Sequence, residues 1–183
     1  AADGLNFDAP GTVHRDRSIV GHSFNVMQVM RDGRLVIAWI DSRDGAAAKR
    51  SGGDYRGSAI YAAVSDDGGR SFRPEAKVAD HSCQCCRLAL TEDVDGVPLL
   101  LWRHVFEPNE RDHALVRLDL DGGAVVPERV TFDRWRIDAC PHHGPSLAVA
   151  ADGTRHAVWF NEREGAGRVF YGRLADGRVD GQR

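Results

Sequence analysis

Asp32-Gly33-Arg34-Leu35-Val36-Ile37-Ala38-Trp39 places a turn dipeptide at the head of an apolar run that ends in tryptophan. The same spacing returns at Asp95-Gly96 with Trp102 and at Asp152-Gly153 with Trp159, each tryptophan seven residues beyond its aspartate. A unit recurring about every sixty residues is one supersecondary motif reused along the chain. Residues 35–40, 97–102 and 156–160 are too short for helices and follow glycine turns, which predicts strands. In the first of them Leu35, Ile37 and Trp39 share one face, and Val36, Ala38 and Ile40 share the other. Both faces are apolar, so the strand is expected to be covered on both sides by stacked sheets.

Further strands are predicted at 59–64, 114–118 and 169–174, two of which carry a tyrosine suited to a pleated surface. Behind the first lies Ser65-Asp66-Asp67-Gly68-Gly69-Arg70-Ser71-Phe72, which fits S-x-D-x-G-x-[ST]-[FW], the pattern called the Asp box. Ser65 and Asp67 are expected to hydrogen-bond the turn, Gly69 to take positive φ, and Phe72 to anchor the loop in apolar packing. Degenerate copies stand at 119–123, with Val126 in place of the aromatic, and at Asp176-Gly177. An inner strand before each Asp-Gly and an outer strand after each Asp-box position complete a four-stranded blade. One more strand is expected around 11–15.

With 183 residues and 42% apolar content, the chain can build a core without disulfide staples. A net charge of −3 and a pI near 6.2 give no general attraction to nucleic acid or to an anionic membrane. No apolar stretch approaches the roughly 20 residues of a membrane span. Ala1-Ala2-Asp3-Gly4-Leu5 has neither the basic start nor the apolar run of a signal peptide. No long amphipathic helix is expected, and the segment after Arg43 reads as a polar loop.

From about His22 onward this arrangement resembles the sialidase-like, Asp-box (BNR-repeat) β-propellers. The resemblance implies an all-β fold of four-stranded blades, about three of a usual six, forming one partial propeller domain with blades near 20–80, 81–138 and 139–183. Three blades cannot close a ring, so the remaining blades or other chains are needed for closure. It also implies an exported protein, extracellular or periplasmic. In the first unit, Asp41-Ser42-Arg43, a polar loop and the Asp box follow one another in the order seen in true sialidases. That order makes Asp54 the matching position for the acid/base aspartate of an exo-α-sialidase-type glycoside hydrolase, against a solvated loop aspartate. Tyr55 adjoins it, and Arg43, Arg87 and Arg103 are the candidates for contacting a carbohydrate or another small anionic ligand. The family's first clamp arginine would fall at Ser23, where no arginine stands. Arg103 also reads as a strand-end surface residue, and Arg111 as part of a solvated, charge-balanced loop.

All four cysteines and three of the eight histidines fall in His81-Ser82-Cys83-Gln84-Cys85-Cys86 and Cys140-Pro141-His142-His143. Similar C-x-C-C and C-P-H-x-G-P signatures mark a bacterial subgroup of the resembled propellers. Counted from the Asp-Gly turns, His22, Cys85 and His142 are equivalent, each ten residues before its aspartate. Matching Leu88-Ala89-Leu90 to Leu147-Ala148-Val149 would instead lengthen the middle hairpin by two residues. Blades meet at a central mouth, so Cys83, Cys85, Cys86, Cys140, His142, His143 and His22 are candidate ligands of one transition-metal site. Thiolates with imidazoles suit copper or zinc. Two disulfides of an exported protein, or free thiols, are the alternatives. The sequence thus points to a propeller that binds a ligand at its mouth, with a sialidase-type hydrolase and a protein-interaction scaffold as rival readings.

Overall fold

The computed structural model describes Gly4, residues 9–175 and residues 178–180. Three antiparallel sheets of four strands succeed one another along the chain. The first contains β1 (His22–Val29), β2 (Leu35–Asp41), β3 (Ser58–Ser65) and β4 (Ala76–Ser82) in chain order. The second contains β5 (Ala89–Glu92), β6 (Pro98–Arg103), β7 (His113–Arg117) and β8 (Glu128–Arg129). The third contains β9 (Ser146–Val149), β10 (Arg155–Arg163), β11 (Ala166–Ala175) and β12 (Arg178–Asp180). The first strand of each sheet lies innermost, with β1 against β5 and β5 against β9. This is a partial sialidase-like β-propeller of three blades.

The Asp-Gly repeat builds the same hairpin three times. Met30 N–H donates to the Arg34 carbonyl, Asp93 N–H to Val97 and Ala150 N–H to Thr154. The middle hairpin is therefore no longer than its neighbours. Strand β6 shows why its residues are apolar throughout: Leu100 and Trp102 join the core against the first blade, while Leu99 and Leu101 join the core against the third. Each blade face is an interface, and Trp102 is fully buried in one of them.

The 65–72 turn is held by its own side chains. Ser65 Oγ donates to Asp67 Oδ1 at 2.8 Å and accepts the Gly69 N–H at 2.8 Å. Asp67 in turn accepts the backbone N–H and the hydroxyl of Ser71. Gly69 has φ +89°. Phe72 is half-buried beside residues 11–15.

Two further expectations are corrected. Residues 11–15 form no strand, because their backbone turns aside to bring Arg15 and Asp16 N–H groups onto the Glu75 carboxylate. The segment after Ser42 is not a loop but helix α1 (Arg43–Arg50), in which Ala46, Ala47 and Ala48 supply propensity. Asp44 in its first turn and Lys49 and Arg50 in its last complement the helix dipole. The Asp176-Gly177 turn lies outside the described residues.

Candidate functional site

Strand β4 ends at Ser82, and the chain must cross from the outer edge of one blade to the innermost strand of the next. Cys83, Gln84, Cys85, Cys86 and Arg87 make that crossing. It is pinned where Cys83 N–H donates to the carbonyl of Arg103, at the end of β6. Cys83, Cys85 and Cys86 are buried, and their sulfur atoms all lie within 4.8 Å of one another. Cys83 Sγ stands 3.0 Å from Cys86 Sγ and 4.0 Å from Cys85 Sγ. Val105 and Phe24 supply the apolar packing around them.

A second crossing approaches from the next blade. Cys140 is exposed, in a cleft that it lines with Gln84 and Arg111 beside the buried trio. Gly144 makes this approach possible: a Cβ there would stand 2.2 Å from the Arg87 carbonyl oxygen, so any larger residue would push the two crossings apart. The two cysteine-bearing segments are thus brought together, as their places along the chain suggested.

The histidines do not follow. His142 and His143 are exposed, the His143 ring lying against Phe160 at 4.2 Å, and His22 is engaged elsewhere. His22 Nε2 stands 3.1 Å from Asp16 and 3.5 Å from Asp41, with its ring stacked 3.9 Å from that of His14. Equivalence of position along three hairpins does not make side chains converge when one strand, β1, carries a bulge between Ser23 and Val26.

Two arginines complete the cluster, and neither role was evident in the sequence. Arg111, expected in a solvated loop, aims Nη1 at Cys83 Sγ at 3.5 Å and has its backbone N–H bonded to the Trp135 carbonyl. Arg103 is no surface residue: it is fully buried. Its guanidinium donates to the carbonyls of Phe160 (2.5 Å), Arg111 (2.9 Å) and His143 (3.4 Å) and to Asn161 Oδ1 (3.0 Å). It also lies 5.2 Å over the Trp135 ring. Among the described residues no carboxylate hydrogen-bonds to it. The signal for Arg103 lay in strand register, since it continues the Leu99, Leu101 face toward the third blade.

The electrostatics single out Cys83. Its thiol is pulled well below the ordinary thiol range, chiefly by the hydrogen bond from Cys86 and further by the Cys85 N–H and the Arg111 charge, against burial. Cys86, as the donor, is pushed up by that bond and by burial. Cys85 is pushed up by burial and by the Cys140 thiol.

The residues read as hydrolytic lie on a neighbouring rim. Asp54 is exposed and lines a shallow depression with Lys49, Tyr55 and Gln84. The Tyr55 hydroxyl donates to Asp80, and burial followed by that carboxylate holds its phenol protonated far above the ordinary range. Arg43 is tied to Asp41 (2.8 Å) and Glu75 (3.1 Å) and lies over the Tyr61 ring. Arg87 is exposed on the crossing itself. Among the described residues no helix is long and apolar enough to cross a membrane.

No family model and no curated protein sequence matches the chain. Solved structures do. A protein of unknown function from Dyadobacter fermentans superposes with a TM-score of 0.62 at 18% identity, over 89% of this chain and 50% of its own. The Hadza microbial sialidase Hz136 superposes with a TM-score of 0.54 at 15% identity, over 83% of this chain and 31% of its own. The chain thus spans half or less of the length of each, and at these identities the likeness is one of architecture. The chain shares the fold of sialidase-like propellers.

Proposed function

We propose that this chain is part of an exported, sialidase-like propeller whose mouth binds a soft transition metal through Cys83, Cys85 and Cys86. The observation that carries this reading is geometric: the buried sulfurs of Cys83, Cys85 and Cys86 lie within 4.8 Å of one another, and the Arg111 guanidinium donates to Cys83 Sγ at 3.5 Å. A guanidinium on sulfur stabilises the thiolate, the form that ligates metal. A disulfide sulfur carries no charge for it to stabilise. Three clustered cysteine sulfurs suit copper(I) or zinc rather than an oxygen-loving ion.

The hydrolase reading is weaker because two of its three candidate arginines are committed: Arg43 to two carboxylates and Arg103 to backbone carbonyls. Further blades of the same construction close the ring and cover the outer faces of the first and third sheets.

The test is intact mass in native and denaturing conditions, with elemental analysis and thiol titration on the full-length protein. One metal per chain in the native spectrum, with all four thiols recovered on unfolding, is the expected result. No metal, no titratable thiol and a denatured mass lacking the hydrogens lost on forming two disulfides would overturn the proposal.

A further inference from the structure

Resting on the metal-binding reading above, we infer that the buried trio Cys83, Cys85 and Cys86 is a three-coordinate site for a monovalent soft ion, copper(I), and that exposed Cys140 is the exchange ligand through which the ion enters by way of Cys85. Three observations lead there.

The first is ligand number. The mutually close group contains three sulfurs, and no histidine or carboxylate among the described residues joins it. A closed structural zinc site takes four ligands in tetrahedral array. Cys140 stands outside the group, in the cleft that Gln84 and Arg111 line beside it, so the geometry offers three close sulfurs and one peripheral one.

The second is charge. Arg103 and Arg111 are the cations at the cluster, and their hydrogen-bond acceptors besides sulfur are carbonyl and amide oxygens. Three thiolates against two guanidiniums leave one negative charge, which a monovalent ion neutralises. A divalent ion at the same three sulfurs would leave an uncompensated positive charge beside Val105 and Phe24.

The third is access. Cys83, Cys85 and Cys86 are shielded from solvent, whereas Cys140 faces a cleft lined by Gly57, Gln84, Arg111, Asp138 and Ala139. An ion arriving in the cleft meets Cys140 first. Forming its bond to Cys85 while releasing Cys140 carries it inward by ligand exchange, with no change in oxidation state and with the thiol protons released to solvent. Gly144 keeps the two crossings close enough for this hand-over.

The experiment titrates the reduced full-length protein with copper(I) buffered by a chromogenic chelator, and separately with zinc. It follows stoichiometry, competition affinity and the rate of removal by excess chelator. Wild type is expected to take one copper(I) per chain and to prefer it over zinc. Cys85→Ser should lose roughly 100-fold in affinity. Cys140→Ser should stay within about threefold of wild-type affinity while loading and release slow by about tenfold or more, the pattern of an exchange ligand rather than a resident one. Far-UV circular dichroism of each metal-free variant separates lost ligation from lost folding, and Cys85→Ala provides a second, apolar replacement at the buried position. Equal losses of affinity in Cys140→Ser and Cys85→Ser would mean a four-sulfur site and would overturn the inference, as would tighter binding of zinc or exchange rates untouched by Cys140→Ser. Wild-type protein that binds neither ion would sink the underlying metal reading itself.

Discussion

His104 shows how burial of a single ring sets a pH dependence. Its Nδ1 is buried without a partner among the described residues, and the ring is enclosed by Trp102, Phe106 and His81. Burial first, then the positive charges of His81 and Arg129, lowers its pKa to about 4. In the unfolded chain the same imidazole titrates near 6.5. The stability it permits is complete above about 6.5, where both states are neutral, and is lost as the pH falls from there through about 4, because the unfolded state takes up the proton first. His113, wholly buried and beside Arg103, acts in the same direction. His104→Phe, which keeps the aromatic packing and removes the titration, should flatten the fall of melting temperature between pH 6.5 and 4; an unchanged slope would refute the assignment. The same scale shows what the sequence could reveal of the site. The four cysteines were legible because thiols are rare and these were clustered. Arg103 and Arg111 were not, because an arginine reads as surface until its acceptors are known, and those of Arg103 include Phe160 and Asn161 from another blade. His22 misled for the converse reason: its place along the hairpin was right, but Asp16 and Asp41 had already claimed its ring.

Hairpins are the elements that gave the fold away. Each Asp-Gly turn fixes the pairing of an inner strand with the tryptophan strand, so a local signal dictated register for three sheets. Helix α1 was missed because Arg43-Asp44-Gly45-Ala46 carries a helix-weakening glycine, and eight residues are too few to display an apolar stripe. The 65–72 turn is the clearest case of an element stabilised by its own polar side chains. Ser65 is buried and serves three bonds at once, so Ser65→Ala should cost about 1–2 kcal/mol by urea denaturation, from the lost bonds and the Gly69 N–H left unpaired. Gly69→Ala should also destabilise, because its φ of +89° disfavours a side chain and a Cβ would meet Leu35 at 3.0 Å. Both variants should leave the proposed metal binding unchanged, since the turn stands before β4 and the cysteines follow its other end. A change in metal content in either would tie the hairpin to the site and contradict this separation.

At the scale of the whole molecule, the cores lie between blades, so a blade at either end of the array leaves apolar side chains of one face exposed among the described residues. The third sheet presents Val158, Val169 and Tyr171 on that face; Val158 pairs with Tyr171 across β10 and β11, and Val169 is 74% exposed. The first sheet presents Met27 and Val29. Facing the other way, Trp159 and Phe170 of the third sheet pack on Leu99 and Leu101 of the second. An apolar outer face of this kind suits another sheet packed upon it, the role of the further blades proposed above. The contrast gives a prediction with opposite signs in two contexts. In the 183-residue chain by itself, Val169→Lys should reduce self-association, shifting the mass measured by light scattering toward the 20.1 kDa monomer. In a protein carrying the further blades, the same lysine would be buried without a partner and should lower the melting temperature and populate partly unfolded species. A substitution that is harmless in the longer protein would show that this face stays in water, and the ring would then have to close some other way.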